Sequence, residues 1–130
     1  MGDGELLATF DAVDAESPRA ARAAVRGFAR RHVSDEEILT GVALCVSEAV
    51  SNVVMHAYRG ANPGPAIVTG WTADNALWIV VSDRGLGLIP RLESPGLGMG
   101  LPLIAQTSSE VDIQSRAGGG TEVRMKFEIA

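Results

Sequence analysis

The stretch AIVTGWTADNALWIVVSDRGLG, Ala66 to Gly87, decides the fold. It holds two runs rich in Val, Ile and Trp, Ala66–Thr72 and Ala76–Ser82, joined by Ala73-Asp74-Asn75. β-branched and aromatic runs of this length read as strands, and the short polar link between them reads as a hairpin. The second strand runs straight into Asp83-Arg84-Gly85-Leu86-Gly87, so an apolar strand ends on an acid and two glycines.

Towards the N-terminus, Arg59 to Pro65 is a loop by its Pro and Gly content. Before it, Ser34-Asp-Glu-Glu37 has the pattern of a capping box, with Ser34 as N-cap and Glu37 reaching back. The helix it opens is expected from Asp35 to about Ala57, with Ile38, Leu39, Val42, Val46, Ala49, Val50 and Val53 on its apolar side. Ser17-Pro18 opens an earlier helix, Ser17 as N-cap and Pro18 at the first helical position, running to about His32. Glu5 to Phe10 reads as a strand.

Towards the C-terminus, Leu88 to Pro95 is loop-like, and Gly96-Leu97-Gly98-Met99-Gly100 leads a helix to about Thr107. Val111–Ser115 and Glu122–Ile129 are the last strands, joined through Gly118-Gly119-Gly120. The order β-α-α-β-β-loop-α-β-β predicts an α+β fold: a two-layer α/β sandwich with a mixed, mostly antiparallel sheet and helices on one face.

The 130 residues fit one domain, residues 1–130, and 46% hydrophobic residues supply a core. A formal net charge of −5 argues against a phosphate-backbone binder, which needs a basic footprint, so no direct nucleic-acid partner is expected. It leaves a mononucleotide open, since backbone N–H groups and a metal ion can hold one. The single cysteine, Cys45, allows no intrachain disulfide and fits a reducing compartment as a buried core thiol. No secretory pattern opens the chain, and no apolar stretch is expected to reach the roughly 20 residues that span a bilayer. The expectation is a soluble cytoplasmic protein with no membrane partner.

Three places carry candidate chemistry. Glu48, Asn52 and His56 are spaced four apart, so on a regular helix they share a face. A carboxylate there can act as a general base, and an amide oxygen beside it can ligate a hard cation such as Mg²⁺. Read alone, they match the polar stripe common on amphipathic helices. Asp83, Gly85 and Gly87 lie at a strand end, where glycine lets the backbone approach a ligand and an Asp can accept a hydrogen bond from an exocyclic amine. Read alone, they make an ordinary turn. Gly96, Gly98 and Gly100 precede a helix N-terminus suited to phosphate, but lack the Gly-Lys-Ser/Thr of a P-loop and follow a loop rather than a first strand. Thr121 starts the last strand with a hydroxyl that could reach a ligand. His56 and Tyr58 read as packing for the helix end. With His32 and His56 the only histidines, a zinc site is not expected.

In this order the pieces resemble the GHKL ATPase superfamily, which includes gyrase, histidine kinases and mismatch-repair ATPases. Within it the chain looks most like the small bacterial anti-sigma factors that are also serine protein kinases. The resemblance rests on Glu48-Ala-Val-Ser-Asn52-Val-Val-Met-His56-Ala-Tyr58, Asp83-x-Gly85-x-Gly87, Gly96-Leu-Gly98-Met-Gly100-Leu101 and Gly120-Thr121. It spans nearly the whole chain, and the four motifs together are far more specific than any one.

That resemblance implies a Bergerat-type fold, ATP and Mg²⁺ as cofactors, and a role for each residue. Asn52 would hold Mg²⁺, Glu48 would be the general base, and Asp83 would bond the adenine amine with Thr121 in support. Gly96, Gly98, Gly100 and Leu101 would form a lid over the phosphates. It also implies a sigma factor and a small STAS-type antagonist as partners, and a homodimer through the first strand and first helix. Histidine kinases need a dimerising hairpin with its own histidine, and gyrase-like enzymes a further domain supplying a lysine. A chain of this length is expected to hold neither. The segment from Leu88 to Pro95 is short and its one cation is Arg91, so the alternative is a non-catalytic, ATP-responsive protein-binding module.

Overall fold

In the computed structural model, which describes residues 4–11, 13–58, 62, 64–85, 110–116 and 119–129, seven regular elements follow one another. They are β1 (Glu5–Phe10), α1 (Ser17–Arg30), α2 (Glu36–Asn52), β2 (Ala66–Ala73), β3 (Ala76–Asp83), β4 (Glu110–Ser115) and β5 (Thr121–Glu128). A π-helical turn, Val53–Ala57, continues α2. Gly87, Gly96, Gly98, Gly100, Leu101 and the helix expected after them lie outside the described residues.

The hairpin forms where Asp74 and Asn75 allow it. Both carry positive φ, 53° and 60°, the left-handed pair of a two-residue turn whose twist suits the flanking strands. Ala73 then faces Ala76, and Ala66 faces Asp83 at the far end. β5 pairs with β3, β4 with β5 and β1 with β2, giving the order β1-β2-β3-β5-β4. Every described pairing is antiparallel, so the expected mixture is not seen among these strands.

Period-two alternation sorts the faces. Leu77, Ile79 and Val81 of β3 and Val123, Met125 and Phe127 of β5 are buried towards the helices. Phe28 of α1 lies against Gly70, where an added Cβ would come within 3.0 Å of Phe28, Ile79 and Leu7. A side chain there would press on all three. α1 and α2 pack on each other and α2 reaches β3 and β5, so both helices lie on one face as expected. On the opposite face Trp71 and Trp78 stack, centroids 5.8 Å apart and planes 7° apart. Lys126 Nζ lies 5.7 Å from the Trp78 ring.

Both helix starts differ from expectation by one residue. The residue flanking α1 is Glu16, which makes no side-chain cap. Ser17 is buried and turns back instead, its Oγ accepting from Asp14 N at 3.0 Å and donating to Asp14 Oδ1 at 3.3 Å. α2 is capped by Asp35, not Ser34: Asp35 Oδ1 accepts from Glu37 N at 2.9 Å and Ile38 N at 3.4 Å. A carboxylate outcompetes a hydroxyl for N–H groups at the positive end of the helix dipole.

The expected apolar side of α2 is buried, Ile38 partly, and Cys45 is buried with it. The 22 residues Glu36–Ala57 are long and apolar enough to cross a membrane, with hydropathy 1.7, contrary to expectation. Half of that window is buried inside the protein and the segment packs on α1 and the sheet, the position of a core helix.

Candidate functional site

The site is built where the end of α2 meets the end of β3. Asn52 is the last residue of α2, one turn beyond Glu48, and both are half-buried. Asn52 Nδ2 is buried with no hydrogen-bond partner among the described residues. A buried amide donor left unsatisfied costs about 1–3 kcal/mol, and such atoms mark places where something else binds. The regular helix ends here, and the π turn Val53–Ala57 carries His56.

β3 ends with its side chains still alternating, so Asp83 points to the helix side and is only 6% exposed. Its Oδ1 accepts from Gly85 N at 2.8 Å and from Thr121 N at 3.3 Å. Both bonds fall on one oxygen, which fixes the carboxylate and leaves Oδ2 outside the pair. Burial pushes the Asp83 carboxyl above its ordinary 3.8, while the two N–H groups and the Arg116 charge pull it back. Arg116 Nη1 also donates to the Asp83 carbonyl at 3.4 Å.

Two glycines let the backbones close. A Cβ on Gly85 would overlap the Ala57 carbonyl, so the turn after β3 rests on the end of the π turn. Gly120 has φ +100°, and a Cβ there would overlap the Asp83 carbonyl. Thr121, next along, is buried beside Asp83.

Asp83, Gly85 and Thr121 are thus gathered into one cluster, and Glu48 and Asn52 stand on the helix whose end that cluster touches. Gly87, Gly96, Gly98, Gly100 and Leu101 are outside the described residues. Two side chains at the cluster were not among the candidates. Arg116 precedes the glycine run, a cation at a strand end that the pattern gave no reason to single out. Tyr58, read only as packing, has its hydroxyl bonded to Arg84 N and Pro65 O. Burial raises its pKa above the usual 10.0, with Asp83 adding to the rise and the Arg84 N–H opposing it.

The arrangement fits a nucleotide. The second oxygen of a fixed, buried carboxylate suits an exocyclic amine. The Asn52 amide offers a donor to a phosphate oxygen and an oxygen to a hard cation.

The comparisons agree. The model of the histidine kinase-like ATPase domain matches residues 12–127. The anti-sigma F factor of Caldanaerobacter subterraneus subsp. tengcongensis is 32% identical over 116 residues, 81% of this chain and 80% of that one. That of Pasteuria penetrans is 33% identical over 122 residues, 85% of this chain and 81% of that one. A crystal structure of the RsbU and RsbW domains of a Mycobacterium tuberculosis protein superposes with a TM-score of 0.72 at 22% identity. It covers 93% of this chain, which spans 32% of that one, and the likeness is one of fold. With the family matched over residues 12–127 and its relatives alike over most of their length, this chain belongs to the histidine kinase-like ATPase domains of the GHKL superfamily.

Proposed function

We propose that this chain is an anti-sigma factor with ATP-dependent serine-protein kinase activity, acting as a single cytoplasmic domain. It sequesters a sigma factor and phosphorylates a serine of a small STAS-type antagonist. The observation that carries the reading is the buried Asp83 carboxylate, fixed through one oxygen by Gly85 and Thr121. The names of its anti-sigma F factor relatives support the partner assignment. Homodimerisation belongs to the same proposal; β1 is an edge strand of the described sheet and Leu6 on it is 60% exposed.

When bound, Mg-ATP supplies a phosphoryl group whose transfer depends mainly on positioning and charge neutralisation. Asp83 would accept from the adenine amine through Oδ2, with Thr121 in support. Asn52 would hold the cation by its amide oxygen and offer Nδ2 to phosphate. Glu48 would accept the proton of the attacking serine hydroxyl. Gly96, Gly98, Gly100 and Leu101, outside the described residues, would supply the lid that the resemblance implies.

Incubation with Mg-ATP and the antagonist encoded beside it should label the antagonist on serine. Glu48→Ala should lower that labelling at least a hundredfold while leaving ATP binding, read by calorimetry, nearly intact, as expected for loss of a general base. Full transfer by Glu48→Ala would remove the assigned base. The second reading, a non-catalytic ATP-responsive binding module, draws on the short Leu88–Pro95 segment. It predicts ATP affinity with no label on the antagonist.

A further inference from the structure

We infer that Tyr58 is a positioning residue that sets the Asp83 turn against the Asn52 helix, and so fixes how the site recognises the 6-amino group of a purine. The inference rests on the nucleotide reading above and extends it to a residue outside the cluster.

Tyr58 joins three segments through one side chain. Its hydroxyl accepts from Arg84 N at 2.9 Å and donates to Pro65 O at 2.6 Å. Its ring covers Gly64, where any Cβ would overlap it. Arg84 N belongs to the peptide that leaves Asp83, so holding it fixes the orientation of that peptide. The next amide, Gly85 N, is the one that Asp83 Oδ1 receives. The phenol therefore acts one bond upstream of the contact that orients the carboxylate.

The π turn gives Tyr58 its place. It inserts one residue relative to a regular helix, so position 58 is turned about 100° from where an α-helix would put it. Tyr58 itself leaves the helical basin, at φ −116° and ψ 25°. Ala57 lies on Gly85 at the same junction. Backbone contact and phenol together lock the amine-facing carboxylate to the helix that carries Asn52. Two half-sites for one ligand need such a fixed separation.

The test is the Tyr58→Phe variant, which keeps the ring over Gly64 and removes only the hydroxyl. Calorimetry would compare Mg-ATP with purine riboside triphosphate, which lacks the 6-amino group. Wild type should prefer ATP. Tyr58→Phe should bind ATP about tenfold more weakly and the analogue nearly as wild type does, the size expected of one hydrogen-bonding group. A merely structural loss would weaken both ligands in parallel, and that result overturns the positioning role. So does an unchanged preference for ATP. Hydrogen exchange on the folded wild type gives a second reading: Arg84 N–H should be protected, and free exchange there overturns the role whatever the variant does. Wild type binding neither ligand would overturn the nucleotide reading and this role with it, a result distinct from those that remove the role alone.

Discussion

Asp83 holds a charge where water is scarce, and this has a signed consequence for stability. Its carboxyl is raised above 3.8 chiefly by burial. The folded chain therefore binds the proton more tightly than the unfolded chain does. Between 3.8 and the raised value, folding takes up a proton, so the Asp83 contribution to stability falls as pH rises through that window. Asp83→Asn keeps an oxygen for Gly85 N and Thr121 N without the buried charge. It should melt at or above the wild-type temperature at pH 7, with the gap closing as pH falls through the raised value and wild type takes up its proton. Calorimetric melts across that range would show it; a variant that melts well below wild type at pH 7 contradicts the argument. Gly120 makes the opposite case. At φ +100° and against the Asp83 carbonyl, Gly120→Ala should lose about 1–3 kcal/mol or more in urea unfolding. A buried charge that lowers the stability of the fold, as at Asp83, is a candidate functional position. Its residue type was legible in the sequence; its burial was not, because burial depends on Gly85 and Gly120 closing around it.

The elements were legible in proportion to how local their causes are. β1 has the bounds the pattern predicts, and the hairpin of β2 and β3 falls where Asp74 and Asn75 put it. The caps were displaced by one residue: at α1 Asp14 engages the Ser17 hydroxyl, and at α2 Asp35 takes the helix-start N–H groups. This difference can be measured. Asp35→Ala should cost about 1 kcal/mol of stability, and Ser34→Ala a few tenths at most. A larger loss from Ser34→Ala than from Asp35→Ala would return the cap to Ser34. The π turn was not legible at all. Val53-Val54-Met55-His56 continues the apolar pattern of α2, and nothing in the periodicity signals an added residue. Its cause is tertiary, since Ala57 and Tyr58 must meet Gly85 and Arg84.

For the whole molecule, the two layers are held by a core in which Leu39, Leu77, Ile79 and Met125 are fully buried. Leu39→Ala should lose about 2–5 kcal/mol, as deep cavities do. Ligand linkage acts at the same scale. ATP at a hundred times its Kd should add about 2.7 kcal/mol, a rise of roughly 5–15 °C in melting temperature, and Asn52→Ala should blunt that rise. The layer order could be read from strands and helices in sequence, because each short connection limits what can pair. The antiparallel pairing of every described strand followed less directly, since β5 inserts between β3 and β4 and no local pattern records that. The stacked pair on the open face carries one more consequence. Trp71 and Trp78 are the chain's only tryptophans, and Trp78 stands five residues from Asp83 along β3, roughly 16 Å at strand rise. The intrinsic emission of this protein is thus the signal of a single coupled indole pair at the hairpin end of the sheet. It will report unfolding and any contact on that face, and stay nearly silent when the far end of β3 fills.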